Sequence, residues 1–318
     1  MESVQNLKKR LKSVANIKKI TKAMELVAAT KMRRSQEIAL SSRPYALVAL
    51  DLLANLTLIE KRRGLKMPEL LEQRKIKKVL FVLVASDKGL AGAFNSSLFK
   101  KFEKYIAENK QHYEKEEKIF AAVGEKSFQY LSKKHWNIVK KFVNVGDYTA
   151  MGQVQPITDF IITGYLEKQW DRVVVFSTHF KSALKQEAMV RRVLPVDFDH
   201  VKETVGDIIP QTGKFAELMK EQNLVFTGSE KSEKEYVIEP TPELVLEQLA
   251  KHLLFMQIYH VILEANASEH SARRMAMKTA SDNASDLGQT LNLQYNKVRQ
   301  ASITNQIIEI SAGAEALS

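Results

Sequence analysis

The sequence predicts an α/β protein in which a mainly parallel sheet lies between two very long helices. Three observations predict it. Residues 1–63 hold no glycine and one proline (Pro44), residues 243–318 hold no proline and only Gly288 and Gly313, and the other ten glycines fall between Gly64 and Gly228. Apolar residues in the first segment recur by threes and fours, the period of a helix. Between the ends, short β-rich runs alternate with helical stretches, which argues for a layered sheet.

Leu7, Leu11, Val14, Ile17, Ile20, Met24 and Val27 form the first apolar series. That spacing is the narrow stripe of a helix packed on one other helix. Small residues at Ala28, Ala29 and Thr30 allow close backbone approach. Pro44 removes a backbone donor and predicts a bend. A second helical piece then runs to about Arg63, where Gly64 and Pro68 end it. Helices filling both terminal segments would span roughly 90 and 110 Å at 1.5 Å per residue, longer than any single domain of such a chain.

From Ile76 the period changes. Val79–Ala85 is a continuous apolar run, as in a strand covered on both faces. Further strands are predicted at Ile119–Val123, Ile138–Val143, Arg172–Thr178 and Ala188–Leu194, with helices at about 96–108, 125–134 and 157–168. The last two strands lack an intervening helix and are predicted to pair as a hairpin. Residues 197–240 are polar and irregular and are expected to form a mobile loop region. Thr241 is then the expected N-cap of the last helix, with Pro242 at its first position and Glu243 in its first turn. Along that helix Leu287, Leu291, Val298, Ala301 and Ile308 continue the apolar pattern, with Gln294 and Asn305 near it. The expected domains are thus 1–63, 76–196, 197–240 and 241–318.

The 318 residues carry a net charge of +11, concentrated at the start. Residues 1–40 contain ten lysines and arginines against Glu2, Glu25 and Glu37, or +7 on one helix. Such a field implies an acidic partner: nucleic acid, anionic lipid or an acidic protein surface. The basic first 22 residues suit a transit peptide, but the helical pattern runs on past Met32, so they are read as mature structure. The longest apolar run is too short to cross a bilayer. The chain has no cysteine, hence no disulfide or thiolate metal site.

Catalytic signatures are sparse. The turn Ser86-Asp-Lys-Gly-Leu-Ala-Gly-Ala-Phe-Asn95 sits where open parallel sheets often bind phosphate. It contains neither G-x-G-x-x-G nor a Walker A loop, so its glycines are read as turn residues. The seven histidines show no i, i+4 pair and no H-E-x-x-H. G-x-S-x-G is also absent. No cofactor or metal is expected.

The two ends carry a family resemblance. Lys19-Ile-Thr-Lys-Ala-Met-Glu-Leu-Val-Ala-Ala-Thr-Lys-Met32 closely resembles the N-terminal helix of gamma subunits of F-type ATP synthases. Tyr295-Asn-Lys-Val-Arg-Gln-Ala-Ser-Ile-Thr-Asn-Gln-Ile-Ile-Glu-Ile310 is similar to that family's C-terminal helix. So are Met275-Ala-Met-Lys-Thr-Ala-Ser-Asp-Asn-Ala284 and the turn at 86–95, and the resemblance spans about residues 3–317. Departures are Ala91 and Ala93, where the family often has Cys and Gly, and the lack of the cysteine insert that gives chloroplast relatives redox control.

The resemblance implies a long antiparallel, left-handed coiled coil of both termini with a Rossmann-like α/β domain. It implies a non-catalytic rotor, turned by proton flow through a c-ring, whose asymmetric shaft cycles the sites of three alpha and three beta subunits. The implied partners are the alpha and beta subunits in a 3:3:1 core, the epsilon subunit and the c-ring, with no nucleic acid. The membrane is reached only through the complex, on the cytoplasmic face of a bacterial inner membrane. Lys18, Lys19, Lys22 and Met24 match family positions at the neck, facing an acidic beta segment. Arg299, Gln300 and Thr304 match positions that contact a beta loop, where Arg offers charge-assisted bonds to a carboxylate. Two alternatives are a basic coiled-coil nucleic-acid-binding protein and a nucleotide-using α/β enzyme.

Overall fold

The computed structural model describes residues 3–41, 68–111, 113–146, 149–196 and 239–315. The expected bend at Pro44, the helical piece ending near Arg63 and most of the expected mobile region, 197–238, lie outside the described residues. Of the terminal helices, α5 spans Pro242–Glu315, 74 residues, and α1 is described over Val4–Ser41. The Thr241 hydroxyl accepts from Leu244 N at 3.4 Å, so the predicted N-cap is in place.

The chain divides into two compact units, Met1–Ala29 with Arg273–Ser318, and Thr30–Ala272. In the first, α1 and α5 run antiparallel. Lys18 Nζ donates to Ser285 Oγ at 2.9 Å, and four residues earlier Val14 lies opposite Gly288. The positions on the seam follow a strict seven-residue repeat: Leu7, Leu11, Val14, Lys18, Thr21, Glu25 and Ala28 on α1, and Met277, Ser281, Ala284, Gly288, Leu291, Tyr295 and Val298 on α5, with Lys18 exposed there and bonded across to Ser285. Steps of three and four in alternation give a left-handed coiled coil.

This seam corrects the sequence expectation. Ile17, Ile20 and Val27 are 50%, 59% and 55% exposed. The expected series took two successive steps of three, from Val14 to Ile17 to Ile20. Each falls about 60° short of a full turn at 100° per residue, so the stripe walks off the seam. On α5, Leu287, Ala301 and Ile308 also face outward, as do Gln294 and Asn305. A polar contact that does cross the seam is the Lys18–Ser285 bond, which favours one register, while buried Glu25 pairs within α1 with Lys22 at 2.8 Å.

The second unit holds a five-stranded sheet of order β3-β2-β1-β4-β5. β1 (Lys78–Val84), β2 (Glu117–Val123), β3 (Ile138–Phe142) and β4 (Arg172–Phe180) are parallel, while β5 (Gln186–Leu194) pairs antiparallel to β4 as the predicted hairpin. The helices between strands are α2 (Phe94–Glu108), α3 (Glu125–Lys133) and α4 (Met151–Leu166). α4 begins six residues before the predicted start at Ile157, because Pro156 is tolerated in its second turn. The carbonyl that Pro156 leaves unpaired belongs to exposed Gly152, where water can satisfy it.

Alternation along β1 separates two cores. Val79, Phe81 and Leu83 face α2 and α3, where Phe81 packs against Phe102, Tyr113, Phe120 and Phe176. Leu80, Val82 and Val84 face α4 and the first third of α5. Residues 253–271 of α5 are buried on every side. Gly164 permits close packing on that second face. A Cβ there would meet the Trp170 ring at 2.1 Å, and the indole donates to Ile161 O at 3.1 Å.

Candidate functional site

The residues implied by resemblance all fall in the two-helix unit. Lys18, Lys19 and Lys22 are exposed, and Met24 is half-buried at the edge of the seam. Lys18 and Lys22 are already engaged, with Ser285 and Glu25. Arg299, Gln300 and Thr304 are exposed, with the Arg299 guanidinium 5.9 Å from the Tyr295 ring one turn back.

The structure does not bring the two sets together. Lys18 is level with Ser285, fourteen residues from Arg299, so the sets stand roughly 20 Å apart along α5. Counting back from Val14 opposite Gly288, α1 starts level with about residue 298. Past that point α5 runs without α1 beside it, and Arg299, Gln300 and Thr304 lie on this single-helix tip.

Sequence reasoning missed the apolar residues that surround these charges. Ile17, Ile20, Leu26 and Val27 on α1 are exposed, as are Leu287, Leu293, Ile303, Ile307, Ile308 and Ile310 on α5. An apolar set this large on a solvated coil and its tip is a candidate contact surface. The legible signal was the seven-residue repeat itself. An apolar residue off that repeat, beside a polar residue on it, faces outward.

The α/β unit offers a different kind of answer at the ends of its parallel strands. Asp87, in the turn after β1, accepts from Glu125 N at 3.0 Å through Oδ1 and from Asn144 N at 2.9 Å through Oδ2. The N-terminus of α3, where a phosphate would bind, is therefore filled by the protein's own carboxylate. Asn95 locks the same turn: its Oδ1 accepts from Ser86 N at 3.1 Å and its Nδ2 donates to Ser86 Oγ at 2.7 Å. Gly124 is required beneath it, with φ of 91° and a would-be Cβ 2.0 Å from Ala85 O. This turn is structural. Among the described residues no group of three or more His, Asp or Glu could hold a metal, and no helix is long and apolar enough to cross a membrane.

A family profile described as ATP synthase matches residues 3–317. The ATP synthase gamma chain of Herpetosiphon aurantiacus is 36% identical over 323 residues, covering 100% of both chains. That of Gloeobacter violaceus is 36% identical over 321 residues, covering 99% of this chain and 100% of its own. Among solved structures, a chain of the Euglena gracilis mitochondrial ATP synthase (OSCP/F1/c-ring, rotational state 3) superposes with a TM-score of 0.60 at 15% identity. It covers 99% of this chain and 94% of its own. A chain of the Tetrahymena thermophila mitochondrial ATP synthase central stalk and c-ring gives 0.56 at 22% identity, covering 82% and 99%. These two likenesses concern the fold. None of these relatives supports the nucleic-acid reading of basic α1.

Proposed function

The chain belongs to the ATP synthase gamma-chain family, and we propose that it works as the central-stalk rotor of a proton-translocating F-type ATP synthase. It couples rotation of the c-ring to conformational cycling of the alpha/beta sites and performs no bond-making itself. Catalysis belongs to the beta subunits. The observation that supports this most directly is the two-helix unit, a coiled coil with a registered seam that turns isoleucines and lysines outward. Two wound helices resist twisting better than one, and bistable catalytic interfaces respond to a stiff element that biases them.

In this reading the shaft is built from the terminal segments, 1–63 and 241–318, and the α/β domain from 76–196. Lys18, Lys19, Lys22 and Met24 meet an acidic segment of the beta subunits, while Arg299, Gln300 and Thr304 meet a beta loop near the bearing. The placement of the two sets at different heights supports two separate contacts. The epsilon subunit and the c-ring are further partners. The chain is peripheral on the cytoplasmic face of a bacterial inner membrane and is held there by the complex.

Co-expression with alpha and beta subunits, followed by native mass measurement, tests the reading. A 3:3:1 assembly is expected. Alpha and beta hexamers that form and leave this chain free would refute it.

A further inference from the structure

Residues 253–271 of α5 are enclosed on all sides, and most of the surface they bury is apolar. Apolar contacts of similar worth are available to a helix at many rotation angles and registers, whereas a buried polar contact is specific to one. Two polar stripes interrupt this enclosed segment. Tyr259, Asn266 and His270 reach the segment after β3. Tyr259 OH donates to Thr149 O at 3.1 Å, and Asn266 Nδ2 donates to Val145 O at 2.9 Å. His270 Nε2 lies 3.1 Å from Gly146 O. Glu264, Ser268 and Ser271 reach the β4–β5 hairpin. Glu264 Oε2 lies 3.2 Å from both His179 Nδ1 on β4 and Arg191 on β5. Ser268 and Ser271 hydroxyls donate to Thr178 O and Ala183 O at 3.3 and 2.7 Å. At 100° per residue the stripes are separated by roughly 150° around the helix.

We propose that Glu264, held between His179 and Arg191, is the positioning residue that keys α5 to the sheet in one rotation and one register. All three side chains are at least nine-tenths buried. Turning α5 by one residue's angle, or sliding it by one turn, would carry the carboxylate out of reach of both partners and take the Glu264 counter-charge away from Arg191 in the core. That penalty selects against every other setting. The second stripe, on the far side of the helix, blocks rotation in the same sense. Under the rotor reading above, and only for this consequence, the key is the joint through which torque passes between the α/β domain and the helix that continues to residue 315.

The chain has no cysteine, so spin labels placed at Gln248→Cys and Leu184→Cys report one distance between α5 and the β4–β5 turn. Both positions are exposed. The full chain is measured by pulsed dipolar spectroscopy in the parent background, in Glu264→Met/Arg191→Met and in Glu264→Gln. The parent is expected to give a single narrow distance, and the double variant a distribution at least twice as wide or a second distance, with Glu264→Gln intermediate. Retention of the parent width in the double variant overturns the proposal. If that variant does not fold, retention of the parent width in Glu264→Gln does so. A merely stabilising role would lower the melting temperature and leave the distance unchanged. In the assembled complex, protons pumped per ATP hydrolysed should fall at least threefold in the double variant. Broadened distances with unchanged pumping support the key and remove only the torque consequence drawn from it, whereas a parent complex that hydrolyses ATP without pumping counts against the rotor reading and leaves the key standing, so the two ideas fail separately.

Discussion

Val14 and Gly288 face each other across the coil at a distance that leaves room for one more carbon: a Cβ on Gly288 would lie 3.7 Å from Val14 Cγ1. That is ordinary van der Waals contact. The glycine is not required by space, and it costs helix stability of about 1 kcal/mol relative to alanine. Gly288→Ala should therefore stabilise the coil by about that amount, slowing amide exchange across residues 281–295 roughly fivefold. Faster exchange in the variant would show that the glycine serves a bend that the seam needs.

Gly164 predicts the opposite sign. Its hydrogen stands where a methyl would overlap Trp170 at 2.1 Å, and Trp170 cannot retreat without giving up its bond to Ile161 O. Gly164→Ala should cost about 1–3 kcal/mol, the range for overpacked cores. In a Trp136→Phe background the emission of Trp170 should shift to the red. An unshifted spectrum and unchanged melting would contradict this account of the α4–β4 packing.

Asp87 holds together three elements that the sequence brings from separate places. One carboxylate serves the first turn of α3 and the segment after β3. Asp87→Ala should cost about 1–2 kcal/mol, the usual worth of a capping side chain together with a second backbone bond. Asp87→Asn should lose less, because one oxygen acceptor survives. Chemical denaturation of the full chain, with α3 exchange as the local probe, separates the two. If both variants match the parent, the turn does not depend on this carboxylate.

Glu264 gives the α/β unit a pH dependence of definite sign. Burial by itself pushes its carboxyl up, but His179 and the Arg191 guanidinium, each 3.2 Å away, together with His260 outweigh it, so the carboxyl titrates below its ordinary 4.5. A depressed folded pKa means the unfolded chain binds the proton first. The contribution is fully present above about pH 4.5 and is lost as pH falls through the folded value. Stability of the parent should therefore fall between these two points, by at most about 1.4 kcal/mol per pH unit from this one group. Glu264→Gln should lack that component of the slope, whatever its absolute stability. Parallel slopes for parent and variant would remove Glu264 from the acid response.

Much of this was legible in the residues, for reasons that also explain the gaps. The strands were readable because Val79, Phe81 and Leu83 alternate with Leu80, Val82 and Val84 in a run that only a doubly covered strand needs. The hairpin followed from the missing helix between β4 and β5. The seam was misplaced because Lys18, Thr21 and Glu25 occupy it, while Ile17 and Ile20 beside them look like better core residues. Hydrophobicity points to those isoleucines, but only the repeat points to the seam. The polar stripes of α5 were invisible for another reason. Asn266 and Val145 are 121 residues apart, and nothing local in either segment names the other.

The outward isoleucines supply the test that separates a contact surface from a structural one. Ile17 and Ile20 are about half exposed or more in the isolated chain, so replacing both with aspartate removes little packing. The change should alter chain stability by no more than about 0.5 kcal/mol per site, as for exposed positions generally. It also lowers the positive field of α1 and puts charge where an apolar partner surface is expected. Assembly with alpha and beta subunits, or ATP-driven proton pumping by what assembles, should therefore fall at least tenfold. Arg299→Ala with Gln300→Ala, at the far set, should leave assembly intact and slow turnover. Normal assembly and pumping in the aspartate pair would mean that these isoleucines face water in the working complex, and the contact surface would have to be sought on another side of the coil.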